Sequence, residues 1–163
     1  MSEARSLFLQ MAEAHLKANR QQKAVTVLHK LLDLEPDNLR VQLRLADLYL
    51  AIGQKDEASM AYLNSAHRTF DRGDFSEAKK MADRALTIQP KNVRAAALKA
   101  RALAALGETK EAIALLEGLP DHGGPESARY LSELYVQTGQ GARSAELARQ
   151  MLKRAPENHA PVF

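Results

Sequence analysis

Alanine, leucine and other apolar residues recur along the chain at helical spacing, with charged and polar residues filling the opposite positions. The pattern predicts nine amphipathic helices, near 5–19, 21–34, 39–52, 55–72, 75–88, 93–106, 109–119, 125–138 and 141–154. Asp74-Phe75-Ser76-Glu77 has the spacing of a capping box at the start of the fifth. Three connectors superpose: Glu35-Pro36-Asp37-Asn38, Gln89-Pro90-Lys91-Asn92 and Ala155-Pro156-Glu157-Asn158. Each follows an amphipathic stretch, and the first two precede another. Proline stops the earlier helix because it has no N–H for the backbone ladder and biases its predecessor toward extended geometry. The asparagine two residues later is placed to cap the next helix.

Counting back from these prolines gives helical hairpins. From Leu39, Leu45-Ala46 and Tyr49 fall on a first helix, Gly53 in the turn, and Ala58 and Tyr62 on a second. From Ser59, matching places are held by Tyr62, Ser65-Ala66, Gly73, Ala78, Ala82, Ala85 and Pro90. From Val93 they are Ala100, Leu103, Gly107, Ala112 and Leu116, and from Pro125 they are Leu131-Ser132, Tyr135, Gly139, Ser144, Ala148, Met151 and Pro156. The first unit, from Arg5, supplies Met11-Ala12, Ala24, Leu28, Leu31 and Pro36, with Asn19 or Arg20 in place of the turn glycine. Small residues let antiparallel helices approach closely while larger ones interleave between units. This small–large–glycine–alanine–proline pattern resembles the tetratricopeptide repeat family, whose unit is about 34 residues. The resemblance runs from Arg5 to Asn158. The family's consensus tryptophan is replaced by Phe8, Gln42, Tyr62, Ala96 and Ala128. It implies an all-α fold, a right-handed solenoid of antiparallel helix pairs. The units are 5–38, 39–72, 59–92, 93–124 and 125–158, forming one repeat domain over 1–163.

The spacing has one irregularity. Pro36 and Pro90 stand 54 residues apart, one repeat of about 34 plus about 20. Helix 55–72 therefore satisfies two registers: Ala58 and Tyr62 make it the second helix of one unit, while Tyr62, Ser65-Ala66 and Gly73 make it the first of the next. A tyrosine-rich helix leading into a Gly-Asp-Phe turn looks like an arrangement in bacterial multi-repeat proteins. In this family first helices line the partner-binding face, so a shared helix implies that the groove switches faces there; the alternative is an extra helix without consequence. Farther on, Leu119-Pro120-Asp121-His122-Gly123-Gly124-Pro125 reads as a connector without helical continuation. It lacks the lysine and following Ser/Thr of a phosphate loop.

Composition narrows the function. Cysteine is absent, which removes disulfides, thiolate zinc sites and cysteine nucleophiles. Met1-Ser2-Glu3-Ala4-Arg5 opens nothing like a signal peptide, and no apolar run approaches the ~20 residues of a membrane span. A cytoplasmic location and no membrane insertion are the expectations. The net charge of +3 arises from ten basic against nine acidic residues over 1–73 and thirteen against eleven over 74–163. Both signs are interspersed, whereas a nucleic-acid binder concentrates its basic residues on one face. Nor is there the repeated residue pair with which helical repeats read RNA one base at a time.

The chemistry of a catalyst is missing too. His15, His29, His67, His122 and His159 form no i, i+4 pair and no His-Glu-x-x-His run. No Ser–His–Asp order or glycine-rich nucleotide loop occurs, and Met11, Met60, Met81 and Met151 sit among leucines as filler. The expectation is a protein with no enzymatic activity, cofactor or metal. Glu108-Thr109-Lys110-Glu111 and Glu77-Ala78-Lys79-Lys80 read as solvated helix surface with local ion pairing.

What the resemblance implies instead is a groove for a protein or peptide. The partner-facing places of first helices hold Leu9, Gln10, Glu13, Leu16 and Lys17; Arg40, Leu43, Arg44 and Asp47; Met60, Leu63, Asn64, His67 and Phe70; Arg94, Leu98 and Arg101; and Glu126, Arg129, Tyr130 and Glu133. Apolar contact is expected from Leu63, Phe70 and Leu98. Arginine forks pair with carboxylates bidentately, so Arg40, Arg44, Arg94, Arg101 and Arg129 suggest an acidic or C-terminal segment as guest. The family's carboxylate clamp for chaperone C-termini is not reproduced: Leu9 and Glu13 stand where it needs lysine and asparagine. Self-association is the rival expectation. The chain ends Asn158-His159-Ala160-Pro161-Val162-Phe163 without the polar capping helix such arrays use, which suggests a homodimer or a longer array.

Overall fold

The computed structural model describes residues 2–154. The Ala155-Pro156-Glu157-Asn158 connector, His159 and the expected uncapped end lie outside the described residues. Within them the chain is all-helical: α1 (Ser2–Lys17), α2 (Gln21–Leu34), α3 (Leu39–Ala51), α4 (Lys55–Asp71), α5 (Phe75–Ile88), α6 (Val93–Ala105), α7 (Thr109–Glu117), α8 (Pro125–Gln137) and α9 (Gly141–Arg154). No strand occurs among the described residues. Every helix packs on the next in sequence, and α4 also touches α6. The architecture is a helical-repeat solenoid.

The turns inside the hairpins share one chemistry. After α1, α3, α4, α6 and α8, the N–H of the third residue past the helix end reaches back five residues. The bonds run Arg20 to His15, Gln54 to Tyr49, Asp74 to Thr69, Glu108 to Leu103 and Gln140 to Tyr135, at 2.7–2.9 Å. This closure needs a left-handed residue just before the donor. Glycine supplies it four times, at Gly53, Gly73, Gly107 and Gly139, and Asn19 (φ 54°) takes the place in the first turn, asparagine being one of the few side chains that tolerates it. The proline connectors begin the next helices as anticipated. Asn38 Oδ1 accepts from the Val41 N–H at 3.2 Å and Asn92 Oδ1 from Ala95 at 3.1 Å. Asp74 Oδ1 accepts from Glu77 at 3.1 Å.

The Pro120–Gly123 segment connects α7 to α8 as a tight turn, with Asp121 (φ 48°) and His122 (φ 53°) both left-handed. Gly123 follows because a Cβ there would come within 3.0 Å of the Ser127 side chain and 3.1 Å of Leu119 Cδ1.

Three apolar clusters run along the array. The first joins α1, α2 and α3 through Ala12, Leu28, Leu31 and Leu45. The second joins α3 to α6 through Ala46, Tyr62, Leu63, Ala66, Met81, Ala82 and Leu98. The third joins α6 to α9 through Leu103, Leu116, Leu131, Leu134 and Leu147. Helix α4 is the centre of the second. Its buried residues are Ala58, Ser59, Tyr62, Leu63, Ser65, Ala66 and Thr69, an arc of about 160° at 100° per residue. Such a wide arc must be mostly small side chains if neighbours are to approach on several sides. The hydroxyls it buries are satisfied locally: Ser65 Oγ donates to Ala61 O at 2.9 Å and Thr69 Oγ1 to Ser65 O at 2.9 Å.

Two of the residues in the tryptophan position bridge elements. Gln42, buried, donates through Nε2 to Pro36 O at 2.5 Å and accepts from Ser65 Oγ at 3.3 Å. It thereby ties the connector to α3 and α4. Tyr62 is 1% exposed; its hydroxyl donates to Asp47 Oδ1 on α3 and accepts from Arg84 Nη1 on α5 at 2.9 Å. Arg84 also pairs with Asp47 at 3.0 Å. Surface ion pairs repeat this inter-unit stitching. Glu108, read as solvated surface, accepts the ammonium of Lys79 on α5 at 2.9 Å, and this contact holds the Glu108 carboxyl below its ordinary range.

Candidate functional site

Two troughs border α4. The larger, about 780 Å³, is bordered by α4, α6, the Pro120–Gly123 turn and α8. Eight of the expected groove residues line it: His67, Arg94, Leu98, Arg101, Glu126, Arg129, Tyr130 and Glu133. Helix periodicity places them. Arg94 and Arg101 are seven residues apart, about two turns, so they share one face of α6. Glu126, Arg129, Tyr130 and Glu133 follow the i, i+3, i+4, i+7 spacing on α8.

The electrostatics of this trough are distinctive. Among the described residues Arg94, Arg101 and Arg129 take part in no ion pair. Arg101 lies over the Phe70 ring, its guanidinium carbon 4.9 Å from the centroid, and Phe70 in turn packs on Phe75 with centroids 5.0 Å apart. Stacking of this kind fixes the plane of a guanidinium while leaving its N–H groups free. Burial pushes the His67 imidazole below its ordinary pKa; Asp71 opposes this, while Arg94 and Arg101 add to it. Burial raises the Tyr130 phenol, with Arg101 lowering it and Glu133 raising it.

The other expected residues are distributed elsewhere. Leu63 is 5% exposed and belongs to the second apolar cluster, so it has no surface to offer; the wide buried arc of α4 turns it inward. Leu98, at 2% exposed, borders the larger trough but is chiefly core. Phe70 acts beneath Arg101 rather than as a free anchor. Arg44 pairs with Glu13 of α1 at 3.2 Å, and Asp47 is engaged by Tyr62 and Arg84. Arg40 is exposed on α3 and lines neither trough.

Asn64 lines the second trough, about 550 Å³, which lies between α2, α3 and α4. Leu32, Asp33, Pro36, Leu45, Tyr49, Glu57, Met60, Ala61 and Arg68 also border it. His29 stands at its edge with Nε2 2.5 Å from Tyr49 Oη. On α4 this trough takes Glu57, Met60, Ala61, Asn64 and Arg68, and His67 is turned about 80° from the centre of that stripe. Sequence reading placed Met60 and Asn64 among partner-facing residues but did not join them to Leu32 and Asp33, because a first-helix rule passes over the second helix α2. The proximity of Asp33 to the Pro36 connector was the available signal.

Among the described residues no three His, Asp or Glu side chains gather as a metal cluster. No helix there is long and apolar enough to cross a membrane.

Comparison with solved structures places the fold. A MamA protein crystal structure has 16% identity and TM-score 0.55, with 94% of this chain and 92% of that one covered. MamA from Desulfovibrio magneticus RS-1, from residue 41 to the end, has 12% identity and TM-score 0.54, covering 92% and 94%. PilF of Pseudomonas aeruginosa has 16% identity and TM-score 0.53, covering 96% of this chain and 79% of that one. At such identities the likeness concerns the fold. No curated protein sequence matches. A sequence model described as the tetratricopeptide repeat matches residues 15–62 and 69–132, well over half the chain, and with the repeated turns and caps it establishes that the chain belongs to the tetratricopeptide repeat family.

Proposed function

We propose that the chain is a non-enzymatic scaffold that docks an acidic peptide segment in the trough between α4, α6 and α8. The observation that carries this reading is the set of three arginines from two helices, unpaired among the described residues and facing one trough. Two carboxylates, Glu126 and Glu133, share the trough and would fix register by repelling misplaced acidic groups. Arg101, held flat on Phe70, is preorganised for a bidentate carboxylate contact, which limits the ordering cost of binding. Tyr130 adds the amphipathic surface common where binding energy concentrates.

The shared register of α4 gains a physical sense under this proposal. Paired with α3, α4 is a second helix; paired with α5, it is a first helix bordering the trough with α6 and α8. The partner-binding face then passes from the α1/α3 side to the α4/α6/α8 side at this helix.

The test is fluorescence anisotropy with labelled acidic peptides ending in a free carboxylate, titrated with wild type and with Arg94→Glu, Arg101→Glu and Arg129→Glu. Binding that weakens at least tenfold in each reversal, with unchanged far-UV circular dichroism, supports the site. Peptides that bind all four proteins alike, or none, refute it.

One observation favours self-association as a second reading. On α9, Gly141, Ala145, Ala148 and Leu152 form an exposed stripe of stacking-sized residues, with Leu152 75% exposed. Light scattering on wild type and Leu152→Glu decides it: a dimer that becomes a monomer supports it, and a wild-type monomer ends it.

A further inference from the structure

We propose that the trough between α2, α3 and α4 is a second docking site, shaped for a segment carrying an apolar side chain next to lysine or arginine. Half of its lining residues are apolar, among them Leu32 from α2, Tyr49 from α3, and Met60 and Ala61 from α4. Met60 is 62% exposed, a flexible thioether that adapts its shape to a guest.

Charge chooses the guest. Three charged side chains border this trough: Asp33, Glu57 and Arg68. Arg68 is consumed internally, donating to Pro36 O and to Asp37 Oδ1, each at 2.6 Å. Asp33 and Glu57 are exposed, and neither enters an ion pair among the described residues. They stand on different helices, α2 and α4, and both line the trough. A guest that seats an apolar side chain there meets two uncompensated carboxylates, which complement a flanking cation and reject an acidic neighbour. The larger trough, which α4 borders through His67, carries three unpaired arginines beside Glu126 and Glu133. One helix thus borders two sites of opposite preference, and the two proposals stand on different residues.

The experiment is selection of a displayed library of random twelve-residue peptides on the full chain, with each enriched peptide synthesised and titrated by anisotropy. The comparison proteins are Asp33→Lys/Glu57→Lys, Met60→Lys, and Arg101→Glu/Arg129→Glu. All alter exposed positions, so circular dichroism should match wild type. The proposal expects peptides with an apolar residue beside Lys or Arg whose affinity falls at least tenfold in the first two variants and stays within about twofold in the third. It is overturned if no peptide is weakened by the Asp33/Glu57 reversal, if those weakened are acidic or uncharged, or if the arginine reversal weakens them equally. A second copy as occupant is read by light scattering: a wild-type dimer lost in Asp33→Lys/Glu57→Lys also overturns it.

Discussion

Replacing Tyr62 with alanine removes a ring that is 1% exposed and packs where α3, α5 and α6 meet α4. Truncating a buried aromatic to alanine costs about 3–5 kcal/mol through lost transfer energy and the cavity left behind. The hydroxyl adds less. Asp47 and Arg84 remain paired at 3.0 Å without it, and their side chains are 59% and 54% exposed, so water replaces the lost bonds. A hydrogen bond of that kind is worth about 1 kcal/mol. With a urea slope of about 2 kcal/mol per molar, Tyr62→Ala should lower the unfolding midpoint by about 2 M, and Tyr62→Phe by about 0.5 M. The assay is urea denaturation followed by far-UV circular dichroism. Because the clusters on either side keep their own packing, the alanine variant should also broaden or split the transition, as expected when nearest-neighbour coupling in an array is weakened. A midpoint that moves less than about 0.5 M in Tyr62→Ala, or equal shifts for the two variants, refutes the assignment of Tyr62 as the ring that couples the two halves.

Asn92→Ala removes the side-chain cap on α6 and should cost about 1 kcal/mol, read as a lower thermal midpoint; Asn92→Asp should retain most of it. Burial and the Glu117 contact push the Tyr135 phenol up to about 12. An unfolded tyrosine ionises near pH 10, so between pH 10 and 12 the unfolded state binds fewer protons and stability falls as pH rises. Melting temperatures over that window should drop more steeply for wild type than for Tyr135→Phe. For His67, whose folded pKa is lowered, the unfolded state binds more protons below its ordinary value near 6.5. Stability contributed by neutral His67 is therefore lost as pH falls through that value toward the folded pKa, and His67→Gln should flatten the decline. As pH falls further, through the lowered folded pKa, protonation adds a cation beside Arg94 and Arg101, so an acidic peptide should then bind more tightly in wild type and not in His67→Gln.

The features that could be read from residue order are those made by nearby residues. Asn38, Asp74 and Asn92 cap helices through N–H groups three positions on, and the residue after each turn glycine closes the turn with a carbonyl five positions back. Proline and glycine therefore mark the boundaries within a few residues. The left-handed geometry at Asp121 and His122 could not be read, because it falls at two successive non-glycine residues, where it is uncommon. Arg94 and Arg101 could be placed on one face by helix period alone. Leu63 could not be placed correctly, since a rule that assigns one face of a first helix to solvent fails for a helix packed as widely as α4. Whether some arginines are free or paired depends on residues more than thirty positions away: Arg44 meets Glu13 and Arg84 meets Asp47.

The stacking of each helix on its immediate successors has a consequence for how the chain acquires its shape. The most distant side-chain bond described, Asp47 to Arg84, spans 37 positions. Loop closures are therefore short, and the entropy lost before contacts form is small. A chain of this kind can mature progressively during synthesis, each hairpin settling on the one already emerged, with no segment waiting exposed for a distant mate.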